Sequence, residues 1–156
     1  MNLLGIDFED WYHPELIKKH HNLKSCEPLI VNGIDKIIDW LRKNDTYATF
    51  FVVGELLKFK PELVDQILEN GHEIGFHTMH HTRLDEPNYR EIFSEELKEF
   101  SELTNKKSKG FRAPSFSLSK STSWMIEILE FHGYVYDSSV VPVKTKLYGI
   151  KNAQTT

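Results

Sequence analysis

The sequence comprises 156 residues, of which 40% are hydrophobic and 27% are charged, and its formal net charge is −4. This composition is ordinary for one globular domain, and a chain of this length buries about two-thirds of its unfolded surface without disulfides. Because the charged residues form no basic block, we expect neither nucleic acid nor an anionic membrane as a partner. No apolar run approaches the roughly 20 residues that span a bilayer.

The single cysteine, Cys26, excludes an internal disulfide and a cysteine-rich zinc site. Any metal must therefore be held by nitrogen and oxygen atoms. The first residues carry neither the basic segment nor the long apolar core of a signal peptide. We therefore expect a cytoplasmic protein made of one domain, residues 1–156.

Five short apolar segments are predicted as strands, because turn-forming residues or helix starts bound each of them. They cover residues 2–8, 46–53, 73–76, 109–112 and 134–136. The second segment is β-branched and aromatic and is apolar on both faces, which is typical of a strand in a covered parallel sheet.

Between these strands, apolar residues recur at helical spacing in four segments. The first begins at Asn32 as the N-cap, and the second runs from Pro61 to Gly71. The third restarts at residues 87–88, and the fourth covers residues 121–131. Because strand and helix alternate along the chain, the sequence predicts an α/β fold with a parallel sheet.

Four of the five predicted strands end in side chains that can do chemistry. In α/β proteins, sites are built where the carboxyl ends of parallel strands meet. The second strand runs into Gly54 and is expected to contribute packing alone. We expect the strand-end residues to lie at one edge of the sheet: Asp7, Glu9, Asp10, His77, His81, Arg112 and Asp137.

The segment 71–81 holds four of the eight histidines in the chain. His77 ends the third strand and His81 follows four residues later, and side chains at that spacing on a turn or helix share a face. Neutral imidazole is the commonest metal-binding side chain, so this pair is a candidate metal site. His80 is expected to be an exposed neighbour, and His20 and His21 are expected to form a solvated loop pair.

Four short motifs appear in order along the chain. Residues 7–11 read Asp-Phe-Glu-Asp-Trp, and residues 71–81 combine Gly-His-Glu-Ile-Gly with His-Thr-Met-His-His. Residues 112–116 read Arg-Ala-Pro-Ser-Phe, and residues 137–139 read Asp-Ser-Ser. This series resembles the polysaccharide deacetylases of carbohydrate esterase family 4, also called the chitooligosaccharide deacetylase or NodB homology domain. With Tyr148 and Gly149, it is most similar to the branch found in exopolysaccharide biosynthesis clusters.

The resemblance implies a distorted, parallel-stranded (β/α) barrel. The family's fifth motif, Leu-x-His, supplies a general-acid histidine, but no histidine follows Asp137 in this chain. The five predicted strands are also fewer than the family's usual number. We therefore expect a barrel that is incomplete at its C-terminus, with the chain cut short at Thr156.

The resemblance further assigns His77 and His81 as ligands of one divalent metal ion, and an acid as the third ligand. Zinc is favoured by the ligand types, and cobalt, nickel or iron also suit such sites. A gapless match to the family makes Glu9 the base and Asp10 the ligand, whereas an Asp-x-Asp match makes Asp7 the base and Glu9 the ligand.

Strand geometry enters this choice, because Asp7 and Glu9 share a face of a strand and Asp10 does not, unless the strand end bulges. We expect Asp10 as the ligand, since a turn normally follows the acids, and Asp7 and Glu9 remain alternative bases. Arg112 would orient the base by charge pairing.

Three further residues take their roles from the resemblance. Asp137 corresponds to the residue that tunes the missing acid, and Pro114 and Phe116 would line the sugar pocket. The implied activity is hydrolysis of a carbon–nitrogen bond outside peptides: metal-dependent removal of an N-acetyl group from a sugar or polysaccharide, releasing acetate. One alternative is a truncated relative that binds sugar or metal without turnover. Another is a metal-free amidohydrolase of the same superfamily, which the two retained histidines disfavour.

Overall fold

A computed structural model of the chain describes residues 3–18 and 26–143, together with residues 145 and 149. His20, His21 and Tyr148 lie outside these residues. Within the described residues, five parallel strands form one sheet whose spatial order follows the chain, β1 to β5. The strands are β1 (Leu4–Phe8), β2 (Ala48–Val52), β3 (Glu73–Phe76), β4 (Gly110–Phe111) and β5 (Tyr136–Asp137).

Helices connect consecutive strands, as a parallel sheet requires. They are α1 (Glu15–Lys18), α2 (Ile34–Lys43), α3 (Glu55–Phe59), α4 (Leu63–Glu69), α5 (Tyr89–Leu103) and α6 (Trp124–Phe131). None of the helices in the described part of the chain is long and apolar enough to cross a membrane.

One face of the sheet forms the core with the helices. The register aligns Phe8, Val52, Phe76 and Phe111 in one row across four strands, and all four side chains are buried. Phe76 packs on Phe100 of α5 with 4.7 Å between ring centroids. Each such side chain contributes about 1.5–3 kcal/mol by leaving water. This row therefore anchors the strand ends on which the site is built.

The opposite face of the sheet has glycines where large side chains must lie flat. A Cβ on Gly75 would meet the Phe51 ring at 2.6 Å, and one on Gly5 would meet Arg112 Nη2 at 2.5 Å. The glycines therefore leave room for Arg112 to cross this face. A cavity of about 790 Å³ also opens along this face. Arg112, one of the strand-end residues expected at the site, lines this cavity.

The predicted α/β fold with a parallel sheet is confirmed, and the differences are local. Asn32 is not the N-cap of α2, because a short 3₁₀ turn (Ile30–Asn32) comes first and Gly33 takes that position. The fourth and fifth strands are shorter than expected. Two short helices, α1 and α3, were not predicted, and α3 begins three residues past the end of β2.

Candidate metal centre

Three side chains at the carboxyl edge of the sheet form a compact group, which we call the ligand group: Glu9, His77 and His81. Each offers one ligand atom, and these atoms lie within 4.8 Å of one another. Glu9 Oε2 is 2.7 Å from His81 Nε2, and the two imidazole rings have centroids 5.1 Å apart. Two imidazoles and a carboxylate are a donor set that suits zinc.

Glu9 belongs to this group because the strand alternation continues past β1. Asp7 and Glu9 stand two residues apart and so point to the same face of the sheet. The parallel hydrogen bonding also continues beyond the strands, since Val53 N–H donates to Phe8 O and His77 N–H donates to Val52 O. The strand end therefore does not bulge, and Glu9 is carried to the side where the histidines lie.

Asp10, the expected third ligand, lies outside the ligand group. Its side chain is 3% exposed, and its carboxylate accepts the backbone N–H groups of Trp11 at 2.8 Å and Ile30 at 2.7 Å. The carboxylate is therefore committed to the turn after β1. The geometry favours the alternative assignment, with Glu9 as the carboxylate beside the histidines.

The environment of His77 prepares one ring nitrogen as a ligand. Nδ1 lies 2.6 Å from the carbonyl oxygen of Arg112, to which it donates, so that Nε2 carries the lone pair. Burial is the main cause that lowers the pKa of His77, to about 4, and the neighbouring acids oppose that shift. His77 is therefore neutral at pH 7, the form that binds metals.

The other two members carry buried polar atoms that lack a partner. His81 Nδ1 and Glu9 Oε2 make no hydrogen bond among the described residues, although Oε2 lies 2.7 Å from His81 Nε2. Burial alone would raise the pKa of Glu9, but its contact with His81 and the nearby His77 and His13 hold that pKa below its ordinary value. A buried imidazole nitrogen that lacks a hydrogen-bond partner, next to an ionised carboxylate, suits the binding of a cation.

Arg112 pairs with Asp7 beside the ligand group. The distance from Nη1 to Asp7 Oδ1 is 2.7 Å, and Nη2 donates to Ser138 Oγ at 2.8 Å. The guanidinium also lies over the Phe51 ring, 4.1 Å from its centroid. These contacts, with the bond from Nε to Ser138 O at 3.2 Å, hold the guanidinium in place, and the carboxylate that it orients is Asp7.

Asp137 acts on a neighbouring loop. Its carboxylate accepts the Ser139 hydroxyl at 2.5 Å and the Ser139 N–H at 3.1 Å, and Ser139 Oγ in turn accepts the N–H of Ala113 at 2.7 Å. Burial raises the pKa of Asp137, while the Ser139 bonds and Arg112 oppose that shift. Asp137 therefore fixes the segment that leads to Pro114.

Pro114 and Phe116, the expected sugar-pocket residues, form a short 3₁₀ turn with Ser115. Ser115 and Phe116 have φ values of 51° and 48°, and Thr78 and His81 have values of 58° and 53°. Left-handed backbone at residues other than glycine is strained and persists where the surroundings hold it, often at functional sites. Strained backbone thus flanks the ligand group on two loops.

Glu55 and His13 also lie near the ligand group, although neither was predicted to contribute to it. Glu55 Oε1 lies 2.7 Å from His13 Nε2, and Glu55 Oε2 lies 2.8 Å from His80 Nδ1. The His13 ring is stacked beside that of His81, at 6.2 Å and 14°. Glu55 follows β2 at the same edge of the sheet, so applying the strand-end rule to that strand as well would have found it. His80 is 54% exposed and lies outside the ligand group.

The chain is similar to known proteins in sequence and in fold. Residues 25–136 match the sequence profile of the family described as polysaccharide deacetylase. A peptidoglycan-N-acetylglucosamine deacetylase of Bacillus cereus is 48% identical over 46 residues, which are 30% of this chain and 22% of that protein. The chain belongs to the polysaccharide deacetylase family.

Solved structures confirm the fold expected from this family. A family 4 carbohydrate esterase from Streptomyces lividans, in complex with acetate, has a TM-score of 0.62 and 17% identity, over 89% of this chain and 62% of that one. A family 4 pseudoenzyme from Bacillus anthracis has a TM-score of 0.62 and 19% identity, over 86% of this chain and 41% of that one. The aligned part thus spans 22% of the curated relative and 41% and 62% of the two solved chains.

The family match includes His77, His81 and Arg112 but begins after the acids of β1 and ends before Asp137. The roles of the acids therefore depend on the geometry of this chain. The exopolysaccharide branch stays a prediction, because Tyr148, on which it partly rests, lies outside the described residues.

Proposed function

We propose that this chain removes the N-acetyl group from an acetylated sugar or polysaccharide by metal-dependent hydrolysis. The observation that carries the proposal is the convergence of Glu9, His77 and His81, with the Asp7–Arg112 ion pair alongside. The reaction consumes one water molecule, forms a carbon–oxygen bond and breaks the amide carbon–nitrogen bond, so its products are acetate and a free amine.

The ligand group would hold one divalent ion. Zinc suits two imidazoles and a carboxylate best, and cobalt, nickel and iron suit them as well. When bound there, such an ion would lower the pKa of a water molecule and polarise the acetyl carbonyl. The neutral state of His77 and the lowered pKa of Glu9 both keep the ligand group ready to bind a cation at pH 7.

Asp7 is the base in this proposal, because Glu9 belongs to the ligand group. Arg112 fixes the Asp7 carboxylate at 2.7 Å, and the side chain is 30% exposed, so that water can reach it. Asp7 takes a proton from the attacking water. The leaving amine must gain a proton, and protonated Asp7 is one group of this chain that can return it.

The loop that carries Pro114 and Phe116 would bind the sugar. Phe116 is half-buried next to the guanidinium of Arg112, at 5.7 Å, and an aromatic face suits a pyranose ring. Asp137 supports this loop through Ser139. The expected cytoplasmic location and the extent of the domain, residues 1–156, stay predictions.

A second candidate function is binding of sugar or metal without turnover. The similarity to a solved chain described as a pseudoenzyme supports this candidate. A metal-free amidohydrolase is the third possibility carried over from the sequence. The three differ in what they require: metal and turnover, binding alone, or turnover without metal.

Acetate release from N-acetylglucosamine oligomers tests the proposal. Protein that is freed of metal and reloaded with zinc should release acetate, and His77→Ala should abolish release. His132→Ala is the matched control, because His132 bonds Ser94 outside the ligand group. Zinc binding without acetate release would favour the second candidate, and release by metal-free protein would favour the third.

A further inference from the structure

Glu55 connects the two loops that carry the ligand group. It is the first residue of α3, and its two carboxylate oxygens contact different histidines. Oε1 lies 2.7 Å from His13 Nε2, in the segment that follows β1, and Oε2 lies 2.8 Å from His80 Nδ1, in the segment that follows β3. The Glu55 carboxylate, which follows β2, thus contacts both the segment after β1 and the segment after β3.

The His13 contact acts on the turn next to Glu9. His13 Nδ1 accepts the backbone N–H of Asp10 at 2.8 Å, so that Nε2 carries the proton and donates it to Glu55. The His13 side chain is 1% exposed, and its ring is stacked beside His81. The Asp10 N–H and the Glu55 carboxylate together set the tautomer of this buried ring, which bonds the residue after Glu9 and lies beside His81.

The His80 contact acts on the loop that joins His77 to His81. Glu55 N–H donates to Met79 O and Gly54 N–H donates to Thr78 O, each at 2.9 Å. Thr78 and His81 hold left-handed φ values, so this loop costs free energy to keep in place. The side chain and the backbone of Glu55 both hold the loop.

Two further side chains, Glu96 and Lys18, also contact the loop that joins His77 to His81. Glu96 accepts the Met79 N–H at 3.1 Å, and Lys18 donates to His80 O at 2.6 Å. The Glu96 contact does not reach the segment after β1, whereas Lys18 belongs to α1 in that segment, nine residues past Glu9. Glu55 joins the same two segments closer to the ligand group, through His13, which lies four residues past Glu9 and is stacked beside His81.

We propose that Glu55 is a positioning residue of the metal centre, which holds Glu9, His77 and His81 together through His13 and His80. This inference rests on the proposed function, because it requires the ligand group to bind a metal ion. A role confined to the stability of the fold would leave the zinc affinity of the folded protein nearly unchanged. A positioning role would change it strongly, because partners of metal ligands are worth about 10- to 100-fold in affinity.

The test compares zinc affinity among three variants of the whole chain. Glu55→Ala removes both contacts, and Glu55→Gln keeps an oxygen for His13 and an N–H for His80. Glu99→Ala is the matched control, because Glu99 of α5 pairs at 2.6 Å with Lys58 of α3, the helix that Glu55 begins, and both side chains are exposed. Affinity is measured by competition with a chelator, and cobalt(II) absorption reports the coordination geometry.

We expect Glu55→Ala to lose about 10- to 100-fold in zinc affinity and to change the cobalt spectrum. Glu55→Gln should restore most of that loss, and Glu99→Ala should match the wild type. Wild-type affinity and an unchanged spectrum in Glu55→Ala would overturn the inference, as would an equal loss in Glu99→Ala. Failure of the wild type to bind zinc would instead overturn the proposed function.

Discussion

Arg112 and Asp7 form an ion pair of 2.7 Å although they come from strands that are not neighbours. Asp7 lies on β1 and Arg112 directly follows β4, so β2 and β3 stand between them. In a flat sheet these strands would lie about 14 Å apart, farther than the two side chains reach. The pair therefore requires a curled sheet, and the same curvature brings the ends of β1 and β3 together at the ligand group.

The separation of base and ligand predicts different phenotypes for two neighbouring acids. Asp7→Asn should lower kcat for acetate release by about 100- to 10,000-fold, because the base is lost, and should leave zinc affinity nearly unchanged. Glu9→Gln should weaken zinc binding, because a neutral amide replaces a ligand carboxylate. Zinc titration and acetate release on both variants check this, and the assignment is wrong if Asp7→Asn is the variant that loses the metal.

The position of Arg112 depends on the glycine beneath it. Gly5→Ala would place a Cβ 2.5 Å from Arg112 Nη2, so the guanidinium should move away from Asp7 while the fold is kept. We expect kcat to fall by at least about tenfold with little change in zinc affinity. Gly33→Ala is the control, because Gly33 has an ordinary φ of −93° at the start of α2. Equal activity of the two variants would refute the positioning of Asp7 by Arg112.

Asp10 should matter for stability rather than for metal binding. Its carboxylate accepts two backbone N–H groups, and Asp10→Asn turns one acceptor into a donor. The free energy of unfolding in the presence of a chelator should fall by about 3 kcal/mol. Asp39→Asn, at an exposed pair on α2, should change it by less than about 1 kcal/mol. Denaturant titration measures both, and similar values for the two variants would count against this role.

His72 should make the fold sensitive to acid. Both ring nitrogens are buried and find no hydrogen-bond partner among the residues that the structure describes, and burial lowers the pKa of His72 from 6.5. Below pH 6.5 the unfolded chain therefore binds a proton that the folded chain refuses, so stability falls as the pH drops toward the lowered pKa. Above pH 6.5 both states are neutral, and His72 adds no pH dependence.

The matching variant is His72→Phe, since the ring already packs against Phe50 and Tyr47. Unfolding free energies measured in chelator from pH 7.5 to 5 should fall less steeply in the variant than in the wild type. Parallel curves for the two proteins would show that His72 does not titrate as its environment implies.

Much of the site could be predicted from local patterns. His77 and His81 follow a short apolar strand, and Arg112 follows another, so the rule that sites form at the carboxyl ends of parallel strands brings them together. The α/β fold followed from the alternation of strand and helix. These features depend on residues close in sequence, which is why periodicity and spacing suffice to predict them.

The choice between Glu9 and Asp10 depends on a contact that is distant in sequence. The Asp10 carboxylate accepts the N–H of Ile30, twenty residues away, and therefore does not join the ligand group. No local sequence pattern indicates that hydrogen bond. Glu55 was missed because the second strand was expected to contribute packing alone, and because α3 has only five residues, too few for helical periodicity to appear. Its partners, His13 and His80, follow β1 and β3, the two strands on either side of β2.

Zinc stoichiometry tests the central claim most directly. After removal and return of zinc, followed by dialysis, the wild type and Asp10→Asn should each retain about one equivalent. Glu9→Gln and His77→Ala should retain much less, because each removes a member of the ligand group. A wild type without zinc would contradict the account, and so would a Glu9→Gln protein that keeps its zinc while Asp10→Asn loses it.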